Sequence, residues 1–144
     1  KQKAYIQDGW NKSGDLCRID EDGYFYYEAR TDDMILTGGY NVSGLEVEAV
    51  LLEHQKVKEE AVVGTPDKDR GQIVKAFIIP KEPGEVGDET VSELQDYVKS
   101  QISAFKYPRA VEFVDELPLT ATGKIQRGAL RQLERERAKK AGII

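Results

Sequence analysis

Met34-Ile35-Leu36-Thr37-Gly38-Gly39-Tyr40-Asn41-Val42-Ser43-Gly44-Leu45-Glu46-Val47-Glu48 carries the signals that decide the fold. Met34 to Thr37 is a short apolar run that predicts a strand. Gly38-Gly39-Tyr40-Asn41 predicts a tight turn, because glycine reaches backbone angles that other residues avoid. Ser43-Gly44-Leu45-Glu46 has the spacing of a capping box. After it, Leu45, Val47, Val50, Leu51 and His54 fall broadly at helical intervals, so an amphipathic helix follows.

Working outward, residues 60–63 and 73–79 are β-rich, with Thr65-Pro66-Asp67 predicted as the turn between them. Residues 81–88 contain Pro83, Gly84 and Gly87 and predict a loose surface loop. Thr90-Val91-Ser92-Glu93 has capping-box spacing and opens a helix with Val91, Leu94, Tyr97, Val98 and Ile102 on its apolar stripe. Tyr107-Pro108 is expected to stop that helix. Residues 110–114 form a further strand, and a last helix starts at about Arg127. The order β-α-β-β-α-β-α places the chain in the α+β class, as a small sheet with packed helices.

Upstream, the acidic turn Asp20-Glu21-Asp22-Gly23 lies between a short apolar run and Tyr24-Phe25-Tyr26-Tyr27, which predicts a β-hairpin. Some thirty residues cannot bury a core alone. Residues 1–31 are therefore expected to be the C-terminal end of a larger domain, and 32–144 a domain of their own. A chain opening at Lys1 also reads as a piece of a longer protein.

The 144 residues are 40% hydrophobic and 33% charged, in the range of a globular protein. A net charge of −5 argues against general nucleic-acid binding. No apolar run reaches the length of a membrane span and no signal-peptide pattern opens the chain, so a cytoplasmic location is expected. One cysteine and one histidine exclude an internal disulfide framework and argue against a His/Cys metal site. Nothing beside Cys17 and His54 in the sequence would orient them as a catalytic pair.

The most informative functional stretch is Pro118-Leu119-Thr120-Ala121-Thr122-Gly123-Lys124-Ile125-Gln126-Arg127. It carries a lysine on a Thr/Gly turn, where an ammonium with three donors suits a carboxylate or phosphate oxygen. Taken alone, Thr-Gly-Lys reads rather as a solvated lysine before a helix start, because such tripeptides occur by chance. It is not a phosphate-binding loop, since Pro118 replaces the first loop glycine and Ile125 the Ser/Thr that would meet Mg²⁺. The basic run Arg127, Arg131, Arg135, Arg137, Lys139 and Lys140 is interspersed with Glu134 and Glu136 and predicts a solvated helix face.

Several motifs stand in one order: Ser13-Gly14-Asp15, Ala29-Arg30-Thr31-Asp32-Asp33-Met34-Ile35, Gly38-Gly39-Tyr40-Asn41-Val42, Glu46-Val47-Glu48 and Thr122-Gly123-Lys124. With these the chain resembles the C-terminal part of the adenylate-forming acyl- and aryl-CoA synthetases, a superfamily shared with peptide-synthetase adenylation domains and luciferases. Lys106-Tyr107-Pro108-Arg109 followed by Val111-Glu112-Phe113-Val114 is similar to the medium-chain acyl-CoA and benzoate-type branch. Ala29-Arg30 with Gly39-Tyr40-Asn41-Val42 is similar to the 2-aminobenzoate-CoA ligases.

The resemblance implies a two-step reaction. A carboxylic acid and ATP, carrying its own Mg²⁺, give an acyl-adenylate; CoA then displaces AMP. It also implies a mobile C-terminal domain that presents a different face in each step and is inactive without its large N-terminal domain. Lys124 matches the lysine that meets the reacting carboxylate and phosphate, a contact worth roughly 3–4 kcal/mol in a barrier. Asp15 and Arg30 match nucleotide contacts, and Asp32 matches the hinge. Gly38, Gly39 and Tyr40 match the loop lining the pantetheine channel. Arg70, Lys99, Tyr107 and Arg109 match CoA contacts, where arginine forks and lysine charges suit phosphates. Asn41 stands where many relatives carry a phosphate-contacting arginine, so its contact would be neutral. Two alternatives stay open: an adenylation domain serving a carrier protein, and a non-catalytic nucleotide- or CoA-binding module.

Overall fold

The computed structural model describes residues 34–144 in full and, ahead of them, the backbone of four short strands: β1 (Ile6–Gln7), β2 (Trp10–Asn11), β3 (Asp15–Ile19) and β4 (Phe25–Arg30). β3 and β4 pair antiparallel, which is the upstream hairpin expected from the sequence.

β5 (Met34–Thr37) and β6 (Tyr40–Ser43) form a second antiparallel hairpin. Its turn is Gly38-Gly39 alone, with φ of 55° and 86°, the positive angles that a two-residue hairpin turn with right-handed strand twist requires. Tyr40 and Asn41, expected in the turn, belong to the strand. α1 (Gly44–Leu52) follows directly. Ser43 is its N-cap, with its Oγ accepting the Glu46 N–H at 3.4 Å. The Glu46 carboxylate receives Lys106 Nζ at 3.0 Å on both oxygens, so the expected reciprocal box is half used locally and half spent on a distant turn.

β7 (Val57–Asp67) and β8 (Gly71–Pro80) form the long central hairpin, and β9 (Ala110–Phe113) lies parallel to β8. The turn expected at Thr65-Pro66-Asp67 instead lies inside β7, where Pro66 pairs with Gln72. β7 ends the strand order β7-β8-β9, and an edge strand tolerates a residue without an N–H. The loop after β8 contains a 3₁₀ turn, Pro83–Glu85, before α2 (Asp88–Gln101). Thr90 is not the N-cap of α2; it sits in the first turn, where its Oγ1 accepts the Gly87 N–H at 3.3 Å. α2 ends at Gln101, ahead of Tyr107-Pro108, with Ile102 extended and a second 3₁₀ turn, Ala104–Lys106, between. α3 (Arg127–Lys140) closes the fold.

The sheet is covered on both faces. Val62, Val74, Ala76 and Ile78 face a core with Val47 and Leu51 of α1, Leu94 and Val98 of α2, and Ile35 and Val42 of the β5–β6 hairpin. The alternate residues Ala61, Val63 and Phe77 face a second core with Leu117 and Leu130 of α3. This two-residue alternation explains why β7 reads as a nearly continuous apolar run. The expected α+β class holds.

Phe77 is 1% exposed while Leu36 is 54% exposed. Phe77→Ala should therefore lower unfolding free energy by about 3–5 kcal/mol, and Leu36→Ala by under about 0.5 kcal/mol. Urea unfolding of the two variants checks this, with the midpoint moving and the slope unchanged.

Candidate functional sites at two ends of one hairpin

Lys124 is exposed on a turn that is tightly built. Thr120 N–H donates to the Lys124 carbonyl at 2.7 Å, Gly123 N–H to the Thr120 carbonyl at 3.0 Å, and Lys124 N–H to Thr120 Oγ1 at 3.1 Å. The Thr120 and Thr122 hydroxyls lie 3.0 Å apart. Gly123 takes φ 84°, a left-handed angle at which a side chain is strained. Leu119 and Ile125 form an antiparallel bridge, and Gln126 N–H donates to the Pro118 carbonyl at 2.8 Å. The threonines and glycine thus hold the backbone root of Lys124 and leave its ammonium free to reach outward.

Behind this turn is a pocket lined by Leu52, Glu59, Glu60, Leu119, Gly123 and Ile125. Glu48 of α1 and Glu60 of β7 are both buried. Glu48 receives Arg127 Nε at 2.7 Å and Nη2 at 2.5 Å, and its Oε2 also accepts the Val62 N–H at 3.2 Å. Glu60 Oε2 has no hydrogen-bond partner. Burial, with the Glu48 charge beside it, raises the Glu60 carboxyl from its ordinary 4.5 to about 7, against the opposing pull of Arg127. Arg127 and Arg137, expected on a solvated face, are instead engaged. Arg137 Nη1 meets Glu112 at 2.7 Å and Glu134 at 3.1 Å, and Lys75 Nζ meets the same two carboxylates at 3.1 and 2.6 Å. Glu134 is 3% exposed, so this network is part of the interface between α3 and the sheet.

The second set lies toward the other end of the β7–β8 hairpin. Gly38 N–H donates to the Arg70 carbonyl at 3.1 Å, and a Cβ on Gly38 would stand 2.9 Å from the Arg70 guanidinium. The Gly38-Gly39 turn therefore rests on the β7–β8 turn. Tyr40 stacks on Phe105 with ring centroids 4.8 Å apart. Tyr107 is flanked by Lys99 Nζ at 4.2 Å and the Arg109 guanidinium at 4.9 Å from its ring centre, favourable cation–π distances. Arg109 N–H donates to the Val74 carbonyl, which fixes the start of β9. Tyr40 and Phe105 are exposed, while the half-buried Tyr107 packs on the core and carries the two cations, a set of aromatic and basic groups suited to a flat base and phosphate charge.

From Glu60 to Asp67 the strand runs roughly 23 Å at about 3.3 Å per residue. The Lys124 turn is at the first end and Arg70 with Gly38 at the second. Gly38, Gly39, Tyr40, Arg70, Lys99, Tyr107 and Arg109 thus gather toward one end, away from Lys124. Asn41 is exposed on β6, opposite Leu36. Asp15 and Arg30 are direct cross-strand partners in the β3–β4 ladder, and Asp32 lies outside the described residues. His54 is committed to structure: its Nδ1 accepts the Lys56 N–H at 3.1 Å and its Nε2 is 3.4 Å from Glu93. Among the described residues no cluster of His, Cys, Asp and Glu is arranged to hold a metal ion, and no helix is long and apolar enough to cross a membrane.

Glu48, Glu60 and Arg127 had no site role in the sequence reading, where Glu48 stood only within a motif and Arg127 only at the start of a solvated helix face. Glu48 carried a usable signal, since with Gly44 and Leu51 it falls at i, i+4, i+7 on the buried stripe of α1.

Residues 46–124 match the family model of the AMP-binding enzyme C-terminal domain. Over 140 residues the chain is 46% identical to mouse acyl-coenzyme A synthetase ACSM4, mitochondrial, covering 96% of this chain and 24% of that protein. It is 45% identical over 143 residues to 4-hydroxybutyrate–CoA ligase 1 of Metallosphaera sedula, covering 99% of this chain and 25% of that protein. A crystal structure of the anthranilate CoA ligase AuaEII in complex with anthranoyl-AMP superposes with a TM-score of 0.79 at 42% identity, covering 95% of this chain and 27% of that one. The chain belongs to the AMP-binding enzyme C-terminal domain family of the adenylate-forming acyl-CoA synthetases and ligases. It spans about a quarter of the length of these curated relatives.

The Glu60 environment has a pH consequence. An unfolded chain ionises this carboxyl near 4.5, while the folded protein holds its proton to about 7. The folded state binds more protons in that window, so stability falls as pH rises through it and is lowest above 7. At about 1.4 kcal/mol for each pH unit between the two ionisations, the loss amounts to a few kcal/mol. Glu60→Gln should flatten thermal stability between pH 5 and 8 and raise the melting temperature at pH 8; an unchanged slope would show that another group sets it.

Proposed function

We propose that residues 32–144 are the mobile C-terminal domain of an ATP-dependent acid–CoA ligase and residues 1–31 the end of its large domain. The observation that carries the reading is the separation of two unlike sites on one rigid frame. A lysine on a closed turn stands at one end of the β7–β8 hairpin, and a glycine turn with an aromatic–basic surface stands toward the other.

In the first half-reaction the acid's carboxylate oxygen attacks the α-phosphorus of ATP and pyrophosphate leaves. The Lys124 ammonium stabilises the negative charge where the two anions meet. The Asp15 carboxylate accepts from the ribose hydroxyls and Arg30 supports the nucleotide. Mg²⁺ arrives with ATP. Asp32 is the hinge about which the domain turns. In the second half-reaction the CoA thiol attacks the acyl carbon and AMP leaves. Pantetheine passes the Gly38-Gly39 turn and Tyr40, while Arg70, Lys99, Tyr107 and Arg109 receive the nucleotide end of CoA. The cations flanking Tyr107 favour free CoA over a carrier protein, which brings pantetheine without a nucleotide. The acid is of the benzoate or 2-aminobenzoate type or a medium-chain acid. The likeness to the anthranilate CoA ligase supports the first, and that to the acyl-coenzyme A synthetase supports the second. The pocket that chooses between them belongs to the large domain.

In the complete enzyme, Lys124→Ala should slow acyl-adenylate formation on the order of 10²–10³-fold and leave thioester formation from supplied acyl-adenylate nearly intact. Equal loss in both half-reactions would contradict the assignment.

Arg109→Ala in the same enzyme should raise the KM for CoA about tenfold, as loss of one charged contact does, with adenylate formation unchanged. An unaltered KM for CoA would remove the Tyr107 cluster from the CoA path.

A further inference from the structure

Arg127 is the first residue of α3, and α3 has no side-chain N-cap. A cation at a helix N-terminus opposes the helix dipole, so its placement there calls for another cause. The cause is Glu48: the guanidinium grips both carboxylate oxygens through Nε and Nη2 at 2.7 and 2.5 Å, a forked contact that fixes orientation as well as distance. Glu48 is itself held, buried on α1 with Oε2 accepting the Val62 N–H of β7. The pair therefore ties the first residue of α3 to α1 and to the outer edge of the sheet.

Only Ile125 and Gln126 separate this clamp from Lys124, and Gln126 is bonded back to Pro118. The turn is closed across its neck and anchored at its C-terminal end. A lysine side chain has four rotatable bonds, so the domain can fix only the backbone root from which the ammonium reaches. Displacement of such a root by about 1 Å is enough to cost on the order of 100-fold in rate.

We infer that Glu48 and Arg127 are positioning residues for adenylate formation, holding the root of Lys124 through a forked ion pair. This rests on the proposed role of Lys124. The pair touches no substrate; its effect passes through the turn.

The test uses the complete enzyme with Arg127→Ala, Arg127→Lys, Glu48→Gln, the double variant Glu48→Gln/Arg127→Ala, and Lys124→Ala as reference. Adenylate formation, thioester formation from supplied acyl-adenylate and melting temperature are measured for each. Arg127→Ala should lower kcat for adenylation on the order of 10–100-fold, with KM for ATP within about threefold and thioester formation within about twofold. Arg127→Lys should recover only part, because an ammonium cannot reproduce the fork. The double variant should be no worse than the weaker single variant, as a shared contact requires. Should Arg127→Ala fail to fold, Glu48→Gln carries the test, since its amide oxygen still accepts from Val62. Adenylation within about twofold of the parent in Arg127→Ala or Glu48→Gln, or both half-reactions falling in step with melting temperature, overturns the inference. If Lys124→Ala is impaired while the pair's variants are not, the positioning inference alone falls. If Lys124→Ala is active, the reading of Lys124 falls first.

Discussion

A buried carboxylate sets the arrangement of this domain. Glu48 sits on the inner stripe of α1, where its oxygens take a backbone N–H from β7 and both arms of the Arg127 guanidinium. A charge removed from water must be fully bonded or it destabilises the fold by several kcal/mol. Meeting that demand draws together three elements from both sides of the sheet and covers an edge that would otherwise present unpaired N–H groups. Glu60 beside it shows the opposite solution: with an oxygen left unbonded, it holds its proton up to about pH 7.

From this constraint follows a rigid frame. The two cores lock α1, α2 and the β5–β6 hairpin to one face of the sheet and α3 to the other. The Lys75–Glu134–Arg137–Glu112 network fastens the C-terminal half of α3. Rigidity matters because the proposed sites stand on turns at separated ends. A domain that flexed internally would lose the registration of each turn, whereas one that moves as a body keeps both.

Much of this was legible in the sequence, and the failures have physical causes. The strand at Met34 follows from a short apolar run and the helix after Ser43 from local periodicity and capping, and the last helix starts at Arg127 as expected. Pro66 was misread as a turn because proline's usual meaning is suspended on a sheet edge. Thr90 has the chemistry of an N-cap but acts from inside the first turn, with Gly87 ahead of it. Helix α2 stops well before Pro108 because Ile102 leaves the helix to pack against the main core, a tertiary preference that no local signal announces. Lys124 was visible because a Thr/Gly turn is a local device. The support beneath it was not, since Glu48 and Arg127 are far apart in the chain and meet only in the fold. The run of arginines in α3 looked solvated for the same reason.

The central claim is that one undeformed domain offers two faces in turn. Backbone hydrogen exchange in the complete enzyme tests it most directly, followed in peptides covering residues 118–126, 38–41 and 103–109. With acyl-adenylate formed and CoA absent, exchange should slow in 118–126 alone. With AMP and CoA thioester bound, it should slow in 38–41 and 103–109 while 118–126 returns to its free rate, and the β7–β8 hairpin should stay unchanged throughout. Simultaneous protection of both faces, or altered exchange along β7 and β8, would contradict the account.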